Sequence, residues 1–147
     1  MNSAVWAPEA TACLAPQPPL PLRKTRSTVV LLVEDEGFLR DMASGVMESA
    51  GHRVLKARDA AEAMGLFQRY RQIIDVLLTD VVLPGKNGRE LAREMRAIDP
   101  GLKVMFISGY VENAVTRQRP CEAGTCYLAK PFSADSLLEK IEQVLGG

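Results

Sequence analysis

The strongest constraint on the fold is a repeated arrangement: short apolar runs that each end in polar residues. Glu34-Asp35 follows Val29–Val33, Asp80 follows Val76–Thr79, Ser108 follows Val104–Ile107, and Lys130 follows Tyr127–Ala129. Brief apolar runs bounded by turn signals read as buried strands. Helical spacings lie between them, and strand–helix alternation of this kind calls for a parallel sheet covered on both faces. In an open sheet of that type, ligands bind at the carboxyl edge of the strands. Three carboxylates, one hydroxyl and one ammonium therefore converge on one crevice. That donor set suits a divalent cation and a phosphoryl group.

The elements follow in order. After the first strand, Leu39, Met42, Ala43, Val46 and Ala50 mark the inward face of a helix that Gly51 stops. Arg53–Ala57 is a weaker second strand. Asp59 and Glu62 resemble a capping box, ahead of an apolar stripe of Ala63, Leu66, Phe67 and Tyr70. Asp75–Thr79 is the third strand. A loop with Pro84, Gly85 and Gly88 leads to a helix with Leu91, Met95 and Ile98 inward, ended by Asp99-Pro100-Gly101. Lys103–Ile107 is the fourth strand, and Glu112 to Ala123 a fourth helix that Pro120 cuts short. Thr125–Ala129 is the fifth strand. Ser133 then caps a fifth helix with Leu137, Leu138, Ile141 and Leu145 facing in.

A chain of 147 residues is one domain with a tail. Residues 1–27 hold Pro8, Pro16, Pro18, Pro19 and Pro21 and the basic patch Arg23-Lys24-Arg26, without any helical or strand period, and read as a disordered tail or linker. Residues 28–147 form the folded domain. Eighteen basic and eighteen acidic residues balance, which gives no footprint for nucleic acid or an anionic membrane. No apolar run approaches the ~20 residues of a membrane span, and the N-terminus lacks the pattern of a secretory signal. Cys13, Cys121 and Cys126 are too few and odd in number for a disulfide framework, and without a second ligand pair they do not suggest zinc. The expectation is a reduced, cytoplasmic protein.

At the crevice, Asp80 is the centre. A carboxylate there can act as a nucleophile toward phosphorus. Glu34 and Asp35 add two acids whose mutual repulsion a bound Mg²⁺ relieves. Lys130 can pair with Asp80 at rest and with a phosphoryl oxygen after transfer, and Pro131 is a candidate for a cis bond that aims the lysine inward. Ser108 offers a hydroxyl donor. Each residue alone has a plainer reading, as a cap, a solvated charge or a turn.

Taken together, these stretches resemble the receiver domain of two-component response regulators, over roughly residues 28–146. The matching segments are Leu31–Glu36, Leu78–Gly85 with Gly88, Phe106–Tyr110, and Tyr127–Phe132. The resemblance implies a three-layer, flavodoxin-like doubly wound α/β sandwich, with a five-stranded parallel sheet in the order 2-1-3-4-5 and five helices. It implies that Asp80 accepts a phosphoryl group from a phosphohistidine on a sensor histidine kinase or histidine phosphotransfer protein. Glu34, Asp35, Asp80 and the main-chain carbonyl of Val82 would hold Mg²⁺. Lys130 and Ser108 would bind the phosphoryl oxygens, and Tyr127 would be the switch aromatic that turns inward. The output surface would be the fourth helix, fifth strand and fifth helix, on a monomer or weak homodimer. The product is a phosphorelay component, not an enzyme acting on external substrates.

The resemblance also implies that two positions set how fast the acyl phosphate hydrolyses. Val82 and Tyr110, two residues beyond Asp80 and Ser108, offer no acid or amide to orient water, so self-dephosphorylation is expected to be slow to moderate. The chain ends soon after the last helix, which predicts no DNA-binding output domain. Either a stand-alone receiver or the receiver of a hybrid histidine kinase fits, the Pro/Ala-rich tail favouring the second and Met1 the first. Three rival readings fit these residues less well. A haloacid-dehalogenase-type phosphatase needs an Asp where Val82 stands. A flavodoxin-like cofactor binder needs a phosphate loop where Glu34-Asp35-Glu36 stands. A non-phosphorylated pseudo-receiver, used only as an interaction module, would lack the acceptor, acids or lysine.

Overall fold

The computed structural model describes residues 27–109, 121 and 124–146. Five parallel strands, β1 (Val29–Val33), β2 (Arg53–Ala57), β3 (Val76–Asp80), β4 (Lys103–Ser108) and β5 (Thr125–Ala129), form one sheet in the order β2-β1-β3-β4-β5. The helices are α1 (Gly37–Ser49), α2 (Ala60–Tyr70), α3 (Gly88–Ile98) and α4 (Ala134–Val144). α4 is the fifth helix of the sequence reading. The helix expected over Glu112–Ala123, Tyr110, and the tail lie outside the described residues, and with them part of the expected output surface.

Period-two alternation along the strands splits the core into two layers. Leu31, Val33, Leu77, Val104, Phe106 and Tyr127 pack toward α2 and α3, against Phe67, Leu91 and Met95. Val30, Leu32, Leu78, Met105, Ile107 and Leu128 pack on the other side with Met47, Leu137 and Ile141. The central strands are therefore buried along their whole length, and β1 and β3 show no exposed position.

Several helix faces are rotated from expectation. In α1 the buried residues are Ala43, Ser44 and Met47, while Met42 is 36% exposed and Ala50 lies on the surface. Tyr70 and Ile98 end α2 and α3 and Leu145 caps α4, and all three are exposed rather than inward. Ala60, Ala92 and Val144 are buried in those helices instead. Small residues such as Ala60 and Ala92 can approach the sheet closely, which an apolar-stripe argument undervalues.

The cysteine expectation needs correction. Cys121 and Cys126 form a disulfide, with their Cα atoms 4.3 Å apart. Gly124, with φ of 80°, turns the chain between them, so a local staple forms without any framework of bridges.

Candidate functional site

β1 and β3 lie side by side, with Val33 opposite Thr79, so the residues that follow them emerge together at the carboxyl edge. Glu34 is 1% exposed and held by three contacts. Its N–H donates to the Ala57 carbonyl at 3.0 Å, its carbonyl accepts from the Arg40 guanidinium at 2.7 Å, and its Oε2 accepts from the Glu36 N–H at 3.1 Å. Asp35 is exposed. Asp80 is the last residue of β3 rather than the first beyond it, and is buried. One oxygen from each of Glu34, Asp35 and Asp80 lies within 4.8 Å of the others.

Lys130 arrives from the neighbouring edge. Its N–H donates to the Ser108 carbonyl at 2.9 Å, and the Lys130–Pro131 bond is cis. Its Nζ stands 3.0 Å from Asp80 Oδ1 and 3.5 Å from Glu34 Oε1. Ser108, 1% exposed, ends β4 one residue past Ile107, the partner of Asp80 in the register. Tyr127 is buried in the middle of β5, opposite Phe106. Val82 is 70% exposed in the loop after Asp80. Thus Glu34, Asp35, Asp80 and Lys130 are brought into one cluster.

The electrostatics of that cluster are unbalanced. Burial, then hydrogen bonding and charge from Asp80, push the Glu34 carboxyl up to about 8. Burial also raises Asp80, against the lowering pull of Glu34 hydrogen bonding and of Lys130. For Lys130 burial disfavours the charge, but Asp80 and Glu34 outweigh it and hold the ammonium above its ordinary value. One ammonium cannot neutralise the three acids once all of them are ionised. Glu34 Oε1 and Asp80 Oδ2 are buried with no hydrogen-bond partner, an arrangement that costs free energy unless a cation completes it. Hard oxygen donors, one of them solvent-facing, fit a small divalent cation that keeps part of its water shell.

Two supporting residues escaped the sequence reading, and a third gains its reason here. Arg40 fixes Glu34 through its backbone. Thr79 Oγ1 donates to the Asp80 carbonyl at 3.0 Å. Gly88, quoted from the sequence as a loop and motif residue, sits so close that a β-carbon there would collide with that same carbonyl oxygen. An open cleft of about 660 Å³ adjoins Asp35, lined by Arg58, Met64, Pro84 and Lys86.

The response regulator receiver domain profile matches residues 30–142. The chain belongs to the response regulator receiver family. This receiver is 35% identical over 116 residues to the response regulator receiver protein CpdR of Brucella abortus, covering 79% of the chain and 95% of that protein. It is 36% identical over 119 residues to the sensor kinase CckA of the same organism, covering 81% of the chain but spanning only 13% of the kinase. Among solved structures, the receiver domain of hybrid histidine kinase CckA superposes with a TM-score of 0.68 at 32% identity, covering 80% of this chain and 98% of that one. A receiver domain from Clostridium thermocellum gives a TM-score of 0.70 at 27% identity, over 81% and 94% of the two chains. Among the described residues of this receiver, no helix is long and apolar enough to cross a membrane.

Proposed function

We propose that the chain accepts a phosphoryl group on Asp80 from a phosphohistidine of a sensor kinase or phosphotransfer protein, and that this switches a protein-interaction surface. One observation carries the reading: Asp80 keeps one buried oxygen without a hydrogen-bond partner while the other faces the Lys130 ammonium at 3.0 Å. In the transfer, an Asp80 carboxylate oxygen forms the new bond to phosphorus as the phosphorus–nitrogen bond of the donor breaks. The leaving imidazole takes the electron pair and is neutralised by a proton. Lys130 follows the phosphoryl oxygens, and the Ser108 hydroxyl donates to one of them. Lys130 is 30% exposed, so its head can reach an incoming group.

Glu34, Asp35, Asp80 and the Val82 carbonyl would hold Mg²⁺. When bound, that ion supplies charge neutralisation and orientation for a transfer that depends mainly on positioning. Glu34, held rigidly by Arg40, Glu36 and Ala57, is the pre-set part of this cradle. Asp35 at the surface leaves one side open to water. Relatives of both kinds, CpdR along nearly its full length and CckA over a small part, support signalling as a stand-alone receiver or within a hybrid kinase.

Intact mass after incubation with acetyl phosphate and Mg²⁺ tests the reading. The wild type is expected to gain one labile phosphoryl group, lost in Asp80→Asn and blocked by EDTA. No adduct, together with no beryllofluoride binding by folded protein, would leave only the pseudo-receiver reading.

A further inference from the structure

Outside the acidic cluster, α3 and β5 meet through a cation on an aromatic pair. Arg89, the second residue of α3, donates from NH1 to the Tyr127 hydroxyl at 3.3 Å. Its guanidinium carbon lies 5.2 Å from the Phe106 ring centre and 5.6 Å from that of Tyr127. The two rings are themselves 5.4 Å apart. Phe106 and Tyr127 are 6% and 8% exposed, so this cation closes over a buried pair from the solvent side. Strand alternation places Phe106, Tyr127 and Ser108 on the sheet face that α3 covers.

The other end of this contact is tied to Asp80. Gly88, the residue before Arg89, donates its N–H to the Val81 carbonyl at 2.8 Å, and has no room for a β-carbon against the Asp80 carbonyl. A double hydrogen bond between Asn87 and Glu90 fixes the same helix start. Any displacement of the backbone at Asp80 or Val81 must therefore carry Arg89 with it.

We propose that Arg89 is a positioning residue that latches Tyr127 in its buried orientation, linking the backbone of Asp80 to the middle of β5. The proposal rests on the reading of Asp80 as phosphoacceptor and of Tyr127 as the aromatic that turns inward on activation. Coupling is reciprocal: if a group on Asp80 favours buried Tyr127, then a residue that holds Tyr127 buried raises affinity for that group. Arg89 thus lowers the cost of switching without touching the phosphoryl site.

The test uses the full chain, with Mg²⁺ and beryllofluoride as probe and ¹³C-labelled tyrosine rings as a second readout. Arg89→Met is expected to shift the Tyr127 ring signals and to weaken beryllofluoride binding by about five- to tenfold. In a Tyr127→Leu background the same substitution should cost less than about twofold, since the coupled partner is gone. Arg89→Lys, which keeps the charge without the planar fork, should fall between, and decides the matter if Arg89→Met does not fold. Unmoved Tyr127 signals, or an equal loss in both backgrounds, would overturn the latch. Failure of the wild type to bind beryllofluoride would instead overturn the phosphoacceptor reading, and the tyrosine signals alone would then decide the role of Arg89.

Discussion

Asp80 and Lys130 form an ion pair at 3.0 Å that is not closed on itself, because a second acid shares the lysine and the other Asp80 oxygen is buried with no hydrogen-bond partner once Glu34 gives up its proton. A structural ion pair would have both carboxylate oxygens satisfied, since an unmet buried acceptor costs about 1–3 kcal/mol. The pair is instead poised for a third participant. Val82 matters at this same scale. Its side chain is 70% exposed at the mouth of the site and carries no group that could orient an attacking water. Val82→Asn adds an amide there without disturbing a packed side chain. Decay of the phosphoryl adduct, followed by intact mass, should accelerate several-fold, below the range of about 10²–10⁴ that a fully positioned proton-transfer group contributes. An unchanged lifetime would show that Val82 does not limit hydrolysis.

Among the elements, α3 is the one that reaches furthest. Arg96, seven residues after Arg89 and so on the same side of the helix, donates to the Leu102 carbonyl at 3.1 Å, the Gly124 carbonyl at 2.8 Å and Thr125 Oγ1 at 2.9 Å. These bonds pin the start of β5 and the turn before β4. Arg96→Met should lower stability by about 1–3 kcal/mol, the cost of leaving such acceptors short of a charged donor. Thermal unfolding followed by circular dichroism should show a midpoint lower by roughly 4–10 °C; an unchanged midpoint would mean that other contacts hold β5. None of this was legible in the sequence, where Arg96 reads as one more surface charge on a helix. The strands were legible because their apolar runs are nearly unbroken, as were the Asp59 and Ser133 caps, which sit ahead of clean helical periods. The helix faces were less so: Met47 and Ala92 are buried through close approach to the sheet, which depends on tertiary fit rather than on period. The Cys121–Cys126 bond was missed because cysteine counting addresses frameworks, whereas a turn at Gly124 brings two local thiols together. Glu34, Asp35, Asp80 and Lys130 could be placed from sequence because parallel strands deliver their following residues to one edge. The contacts of Arg40, Thr79 and Arg89 depend on side-chain reach that no spacing encodes.

Over the whole molecule, folding and cation binding draw on the same buried acids. Glu34 has an ordinary value of 4.5 and is pushed up to about 8 in the folded chain, by burial first and by Asp80 second. Between those two values the unfolded chain has released the proton that the folded chain keeps. Stability without a divalent cation therefore falls as pH rises across that window, by at most about 1.4 kcal/mol per unit. The raised Asp80 acts in the same direction at its acid end, while the raised Lys130 gives its contribution below its ordinary 10.5 and loses it only above, outside this window. A cation held by Glu34, Asp35 and Asp80 must displace the proton, so its affinity should climb by up to about tenfold per pH unit until Glu34 is ionised near 8, then level off. Titration of Mg²⁺ at pH 6, 7 and 8, read by the shift in thermal midpoint, should show that rise, and saturating Mg²⁺ should remove the decline in stability toward pH 8. Glu34→Gln carries no such proton, and its Mg²⁺ affinity should be weaker and nearly flat over the same range. A wild-type affinity that is already flat from pH 6 to 8 would mean that the buried glutamate is not where the cation and the proton compete.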